Sequence, residues 1–162
     1  MMLTASLKFL TCWKLLALNE GGFTIDNGGQ TMYGITEAVA RAAGYSGDMA
    51  KLPLETAQSI AYQEYWLPHN LDSLPVWAGF QILDTVYNGG SPVQWCQQFL
   101  NLKVDGINGP QTTAAISSMN PWEFLCKLNS ARLHYMAGLN VPAAKNGWMN
   151  RVSNNLLQGG MI

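Results

Sequence analysis

A glutamate followed by two glycines ends the first helical pattern of this chain, at Glu20-Gly21-Gly22. Apolar residues at helical spacing precede it, namely Leu3, Leu7, Leu10, Leu15 and Leu18. The spacing predicts a helix from Leu3 to Leu18, and the glycines supply the backbone freedom to end it. Glu20 is therefore expected where a rigid helix meets a loop. A carboxylate held by packing on one side and facing a cleft on the other suits general acid catalysis.

Composition restricts the class of protein. With 162 residues, of which 48% are hydrophobic, the chain can bury a core, and we expect one compact domain over residues 1–162. Only 12% of the residues are charged and the net charge is −1, so a nucleic-acid partner is not expected. No apolar stretch approaches the ~20 residues of a membrane span, and we expect no stable membrane insertion.

Cysteine and tryptophan are assigned to the core. The three cysteines, Cys12, Cys96 and Cys126, lie in apolar helical patterns without the spacing of metal ligands, so we expect reduced, buried thiols and neither a metal site nor a cofactor. Five tryptophans are also assigned to the core, because most aromatic residues of a helical protein lie there; they are Trp66, Trp77, Trp95, Trp122 and Trp148.

The remaining pattern is mostly helical. The glycine-rich stretch 23–35 predicts a short β-hairpin or an irregular lobe. Further helices are predicted, in chain order, at 36–41, 54–66, 75–88, 91–100, 109–119 and 120–139, and after Gly147. The fold class is therefore mainly α, with a small β or irregular lobe beside Glu20.

One carboxylate stands out inside the most apolar helix. Asp84 lies in the segment 75–88, which is hydrophobic nearly all round and should be buried. A charge buried there alone would cost several kcal/mol, so Asp84 is expected to be paired or to face a cavity. Arg151 is a candidate partner for Asp84 or for another acidic residue, and a structural role is favoured for it.

Asp26 and Thr31 follow Glu20 across a glycine-rich turn that can fold them back toward it. Two carboxylates and a hydroxyl can cleave a glycosidic bond, since one acid protonates the leaving oxygen and the other group stabilises charge or activates water. An aspartate beside Asn-Gly-Gly is also an ordinary turn residue. Both interpretations of Asp26 stay open on the sequence.

These residues carry a resemblance to a known family. Glu20-Gly21-Gly22, Asp26, Thr31 and the run Tyr33-Gly34-Ile35-Thr36 resemble the motif of glycoside hydrolase family 108, the N-acetylmuramidases found among phage endolysins and related bacterial proteins. Further matching positions follow in the same order, namely the run from Gly44 to Met49, Tyr65-Trp66, Asp84, Asn88, Gly90, Gly147-Trp148 and Arg151-Val152.

The resemblance implies a lysozyme-like helical fold and cleavage of the β-1,4 bond between N-acetylmuramic acid and N-acetylglucosamine. Glu20 matches the catalytic glutamate, and Asp26 and Thr31 would position water and stabilise the transition state. The loop Asp26-Asn27-Gly28-Gly29 is shorter than the family's Asp-Pro-x-Asp-x-Gly-Gly, which leaves the role of Asp26 open. The alternatives are a lytic transglycosylase, or a non-catalytic wall-binding or secretion-associated protein.

A second motif lies in residues 99–112, where Asp105-Gly106 and Gly109-Pro110 resemble small helical peptidoglycan-binding modules. The same residues also make a well-formed helix-loop-helix corner, and both interpretations stay open. We accordingly expect residues 1–90 to be the catalytic part, with 91–162 a peptidoglycan-binding-like helical part packed on it.

Four residues are predicted to bind the glycan, either through acetamido groups or through an aromatic platform; they are Gln30, Tyr33, Tyr65 and Asn88. The expected partner is bacterial peptidoglycan, and we expect a monomer. The chain begins without the pattern of a signal peptide. We therefore expect synthesis in the cytoplasm of a host bacterium and release to the periplasmic cell wall through a pore or another export route.

Overall fold

Helix α4 (Val76–Tyr87) is the central element of the fold. The computed structural model describes residues 5–26 and 29–159. Eight consecutive residues of α4, Ala78 to Thr85, are buried, because helices pack on several of its sides. The prediction of a helix surrounded by the rest of the protein is therefore confirmed.

Helix α1 (Leu7–Asn19) packs along α4. It begins after Ser6, whose side chain caps the helix by accepting a hydrogen bond from the Phe9 amide at 3.1 Å. This cap explains why the helix starts four residues later than the predicted Leu3; residues 1–4 lie outside the described part of the chain. Its buried face consists of Phe9, Cys12, Trp13 and Leu16.

A small antiparallel sheet follows α1, made of β1 (Thr24–Asp26), β2 (Gly29–Met32) and β3 (Ile35–Thr36) in that order. Strand β2 is central: Thr31 lies opposite Thr24 on one side and opposite Thr36 on the other. The predicted small lobe is thus a three-stranded sheet. The turn between β2 and β3 places Tyr33 and Gly34 at positive φ, 54° and 77°.

Two helices and a helical turn lead from the sheet back to α4. Helix α2 (Glu37–Ala42) is capped by Thr36, and helix α3 (Leu54–Ala61) continues directly into a π-turn, Tyr62–Trp66. The π-turn carries Tyr65 and the fully buried Trp66. Such turns inside helices often occur at functional sites. Single 3₁₀ turns lie at Met49–Lys51 and Leu71–Ser73.

The second half of the chain adds four more helices, of which the first, third and fourth pack on α4 and the second packs on the first. They are α5 (Pro92–Phe99), α6 (Pro110–Ser117), α7 (Pro121–Gly138) and α8 (Lys145–Gly159), the last preceded by a 3₁₀ turn at Pro142–Ala144. Helices α7 and α8 contact each other and α4, and α8 also reaches α1. Among the described residues, no helix is both long and apolar enough to cross a membrane.

Two core assignments are wrong. Cys126 is exposed, whereas Cys12 and Cys96 are buried as predicted, and Trp122 is 57% exposed. Both lie on α7, whose buried stripe includes Phe124 and Leu128. Residues two positions apart on a helix face different directions, so Cys126 and Trp122 point away from the side that Phe124 buries. Trp66 is fully buried, and Trp77, Trp95 and Trp148 are half-buried.

Candidate active site

Glu20 lies directly after the last residue of α1, in extended conformation, as the junction in the sequence predicts. Its side chain is 15% exposed, so it is largely enclosed and still reaches solvent. The turn after β2 closes over it: a β-carbon added at Gly34 would lie 2.5 Å from Glu20 Oε2 and would also collide with the ring of Tyr87. Only glycine fits this approach between the lobe and α1.

A pair of tyrosines forms a second wall beside Glu20. The rings of Tyr65 and Tyr87 lie 4.7 Å apart, and the Tyr87 hydroxyl donates a 2.9 Å hydrogen bond to the carbonyl of Tyr33. Burial, with the nearby carboxylates Glu64 and Glu20, raises the pKa of Tyr65. The pKa of Tyr87 is raised more strongly than that of Tyr65, first by burial and then by Glu20 and Tyr65. Both phenols therefore stay neutral and keep their hydroxyl protons at ordinary pH.

On its other side Glu20 forms an ion pair. Arg151 on α8 brings Nη1 to 2.6 Å from Glu20 Oε1, and its side chain is 10% exposed. The same guanidinium contacts Asp84 through Nε, at 3.1 Å from each carboxylate oxygen, and through Nη2, at 2.8 Å from Oδ1. Arg151 thus joins the carboxylate at the end of α1 to the carboxylate buried in α4.

Asp84 is the centre of a buried polar cluster. Arg132 on α7 places Nη1 2.7 Å from Asp84 Oδ2, and the Asn155 side-chain amide also donates to Oδ2. Asn19, next to Glu20, donates to Asn155 Oδ1 at 2.8 Å. Burial alone would raise the pKa of Asp84, but Arg151 and Arg132 outweigh it and hold that pKa below its usual value. The expectation that Asp84 is paired is met, and by two arginines.

The predicted glycan-binding residues occupy different places around this cluster. Tyr33 precedes Gly34, which lies against Glu20, and Tyr65 packs on the ring of Tyr87. Both Tyr33 and Tyr65 are half-buried. Asn88 follows α4 and accepts a long, 3.5 Å hydrogen bond from Arg132, which places it beside the Asp84 cluster. Gln30 lies on β2 opposite Ile25 and is half-buried.

Thr31 and Asp26 lie in the β lobe. Thr31 is half-buried in the middle of the sheet, and it follows Gln30 directly, so the two side chains leave the sheet on opposite faces. The backbone of Asp26 ends β1, paired with Gly29, while its side chain, like Asn27 and Gly28, lies outside the described residues. The catalytic roles of Asp26 and Thr31 stay predictions.

Sequence reasoning missed three side chains of the cluster. Arg132 and Asn155 contact Asp84, and Tyr87 lies with Glu20 against Gly34, although each of the three stands in an ordinary helical pattern. The only available signal was Asp84, whose burial required a counter-charge. Which arginine supplied it depended on the packing of α7 and α8 against α4.

The second motif is built into a corner of the fold. The buried Gln97 side chain accepts from the amides of Asp105 and Gly106 at 3.0 and 2.9 Å and donates to Asp105 Oδ1 at 2.8 Å. Asn108 donates to the carbonyls of His69 and Asn70. These polar side chains are thus engaged inside the protein, as the corner interpretation expects. A wall-binding role for this region stays a prediction.

A protein-family model matches the part of the chain that contains Glu20. The model of the family Glycosyl hydrolase 108 matches residues 14–90. Over these residues the chain is similar to glycosyl hydrolase family 108. The matched segment of family 108 includes Glu20, Tyr65, Asp84 and Tyr87, whereas Arg132 and Arg151 lie outside it.

Among solved structures, SagA from Brucella abortus is similar to the chain over nearly its whole length. The two are 27% identical, the alignment covers 94% of each chain, and the TM-score is 0.82. No curated protein matches the chain. The predicted mainly α, lysozyme-like fold with a small β lobe is confirmed. The match to this family model supports a glycoside hydrolase, and Glu20 is the enclosed acidic residue at the edge of the β lobe.

Proposed function

We propose that this protein is an N-acetylmuramidase, which hydrolyses the β-1,4 bond between N-acetylmuramic acid and N-acetylglucosamine in peptidoglycan. One observation carries the proposal: a glutamate at the end of α1, 15% exposed, lies between the turn of the β lobe and a buried ion-pair cluster. A partly enclosed carboxyl group with fixed surroundings can transfer a proton to a bound substrate.

In this mechanism Glu20 protonates the glycosidic oxygen as the bond to the muramic acid carbon breaks. The sugar develops oxocarbenium character, and water completes the hydrolysis. Asp26 is proposed as the second carboxylate and Thr31 as the group that positions water. Tyr33, Tyr65, Asn88 and Gln30 are proposed to bind the glycan. The tyrosine rings beside Glu20 offer apolar faces for a sugar ring together with a polar edge.

The experiment is mass spectrometry of soluble products after isolated peptidoglycan is incubated with wild-type protein and with Glu20→Gln. Muropeptides that end in reducing N-acetylmuramic acid support the proposal, provided that the variant releases them at least ~100-fold more slowly, the usual contribution of a general acid. Lys127→Met is the matched control, because it changes an exposed side chain on α7 in contact with Glu123.

Other products would replace the proposal. Ends in 1,6-anhydro sugar would indicate a lytic transglycosylase, which uses a hydroxyl group of the sugar in place of water. Absence of products from wild type, with the protein still sedimenting with the wall, would indicate a non-catalytic wall-binding or secretion-associated protein. An active and equally stable Glu20→Gln variant would remove Glu20 from the mechanism.

We also propose a cellular setting, the lysis of a bacterium at the end of phage replication. The support is the resemblance of the Glu20 motif to phage endolysins. Synthesis would be cytoplasmic, with access to the wall through a pore or another export route. Expression in a bacterium with and without a co-expressed membrane pore tests this setting. Loss of culture turbidity that requires both the pore and Glu20 is the expected result, whereas lysis without the pore would contradict it.

A further inference from the structure

Helix α8 contributes to the candidate site although it lies far outside the family-matched segment 14–90. Its Arg151 is the residue that touches both carboxylates, Glu20 and Asp84. The guanidinium is divided between them: Nη1 faces Glu20, and Nε with Nη2 face Asp84. Such a fork matches the planar geometry of a carboxylate and fixes the orientation of the arginine.

The two oxygens of Glu20 have different surroundings. Oε1 is 2.6 Å from Arg151, whereas Oε2 lies on the side of Gly34. An arginine has only protons to donate and cannot accept one. The oxygen that faces Arg151 is therefore the anchored one, and Oε2 is the atom left to carry a proton.

Arg151 does not depend on Glu20 for its position. Asp84 contacts the guanidinium at two nitrogens and is itself held by Arg132 and Asn155. When Glu20 is ionised, two carboxylates face two guanidinium groups and the cluster is neutral. When Glu20 is protonated, Asp84 still holds Arg151 in place, so the donor is preorganised in both states.

We propose that Arg151 is the positioning residue for Glu20 in the reaction described above, and the inference rests on that proposed function. It fixes Oε1, so that the proton on Oε2 passes to the glycosidic oxygen as the bond to the sugar carbon breaks. The electron pair of that bond leaves with the oxygen, and Glu20 becomes a carboxylate. Arg151 stabilises the negative charge that develops on Glu20 in this step. The reaction centre is therefore completed by a helix outside residues 14–90.

The test compares Arg151→Met, Arg151→Lys and the control Lys127→Met in the full chain. The rate of reducing-end release from solubilised peptidoglycan strands gives kcat and KM, and circular dichroism with thermal melting verifies that each variant is folded at the assay temperature. Binding is measured separately, as the fraction of protein that sediments with peptidoglycan, in Glu20→Gln with and without Arg151→Met.

For Arg151→Met we expect kcat to fall about 10- to 100-fold with KM changed less than about twofold, since a small misplacement of a catalytic group costs up to about that factor. Sedimentation with the wall should be unchanged. Arg151→Lys should recover part of kcat, because an ammonium group supplies the charge without the fork. If Arg151→Met does not fold, the test rests on Arg151→Lys alone. The proposal then expects a reduced kcat and an unchanged KM for Arg151→Lys.

A folded Arg151→Met variant with wild-type kcat, or one with a change in KM alone, overturns the assignment. The same holds for wild-type kcat in Arg151→Lys if that variant is the only folded one. These results are distinct from a failure of the proposed function, in which wild-type protein itself releases no reducing ends and both proposals fall together.

Discussion

Asp84 and Arg132 form an ion pair in the interior of the protein, with 2.7 Å between Oδ2 and Nη1 and side-chain exposures of 0% and 1%. A pair this buried has lost nearly all of its hydration. It is tolerated because Arg151 and Asn155 satisfy the remaining lone pairs of Asp84. The cluster joins α4, α7 and α8, so it links the family-matched segment to the second half of the chain.

Asp84→Asn should destabilise the protein strongly. The substitution leaves two guanidinium groups facing a neutral amide, and removal of one partner of a buried pair typically costs about 3–5 kcal/mol. Urea denaturation gives the free energy of unfolding. Glu123→Gln is the control, because its ion pair with Lys127 is exposed and should contribute less than about 1 kcal/mol. Equal stability of the two variants would contradict a structural role for the cluster.

Low pH should remove the stability that the ionised Asp84 side chain contributes. Burial raises the pKa of Asp84, but Arg151 and Arg132 lower it by more. The pKa of Asp84 is therefore lower in the folded protein than in the unfolded chain. As pH falls, the unfolded chain therefore takes up the proton first, and stability decreases below about pH 4, the range of an unperturbed aspartate. Above that pH the contribution is fully present.

The measurement is the free energy of unfolding of wild type and Asp84→Asn between about pH 2 and pH 6, a range chosen around the unperturbed aspartate value. The difference between the two proteins should shrink as pH falls. Asp105, whose pKa is also lowered, is present in both and cancels. A difference that stays constant down to the lowest pH would show that Asp84 does not titrate in this way.

Local features of the sequence were sufficient for the position of Glu20. Helical spacing, the glycine pair and the capping residue Thr36 act over a few neighbours, and the structure has the end of α1, the small lobe and the start of α2 where these signals place them. The π-turn at Tyr62–Trp66 was predicted only as helix, because its extra residue per turn has no distinct pattern.

The partners of Asp84 could not be predicted in the same way. Sequence indicated that Asp84 needs a counter-charge and named Arg151 as a candidate, but Arg132 was missed. Both pairings cross from α4 to helices that follow much later in the chain. They are determined by how α7 and α8 pack, a property of the whole fold that no local spacing encodes.

Gly34→Ala should reduce activity through a steric effect. The new β-carbon would meet Glu20 and Tyr87 at a backbone φ of 77°, which L-residues adopt at a cost of about 1–2 kcal/mol. We expect Glu20 to be displaced and the rate of peptidoglycan cleavage to fall at least ~10-fold, since misplacement by about 1 Å can cost up to 100-fold.

Gly44→Ala is the matched control for that variant. Gly44 also has positive φ, 90°, but no atom lies within 4 Å of an added β-carbon. Gly44→Ala should decrease the free energy of unfolding by a similar amount, because the backbone strain is similar. It should keep wild-type activity per folded molecule. If both variants lose activity equally, the contact of Gly34 with Glu20 is not the cause.

The three cysteines should react at very different rates with a chromogenic disulfide reagent. Cys126 is exposed, whereas Cys12 and Cys96 are buried, and burial raises the pKa of Cys12 to about 12 and that of Cys96 further. The reactive species is the thiolate, which is scarce for both buried residues near neutral pH. We expect one fast thiol in the native protein and three in denaturant. Cys126→Ser should abolish the fast phase without affecting cleavage of peptidoglycan, and a persistent fast phase in that variant would show that a buried thiol is accessible.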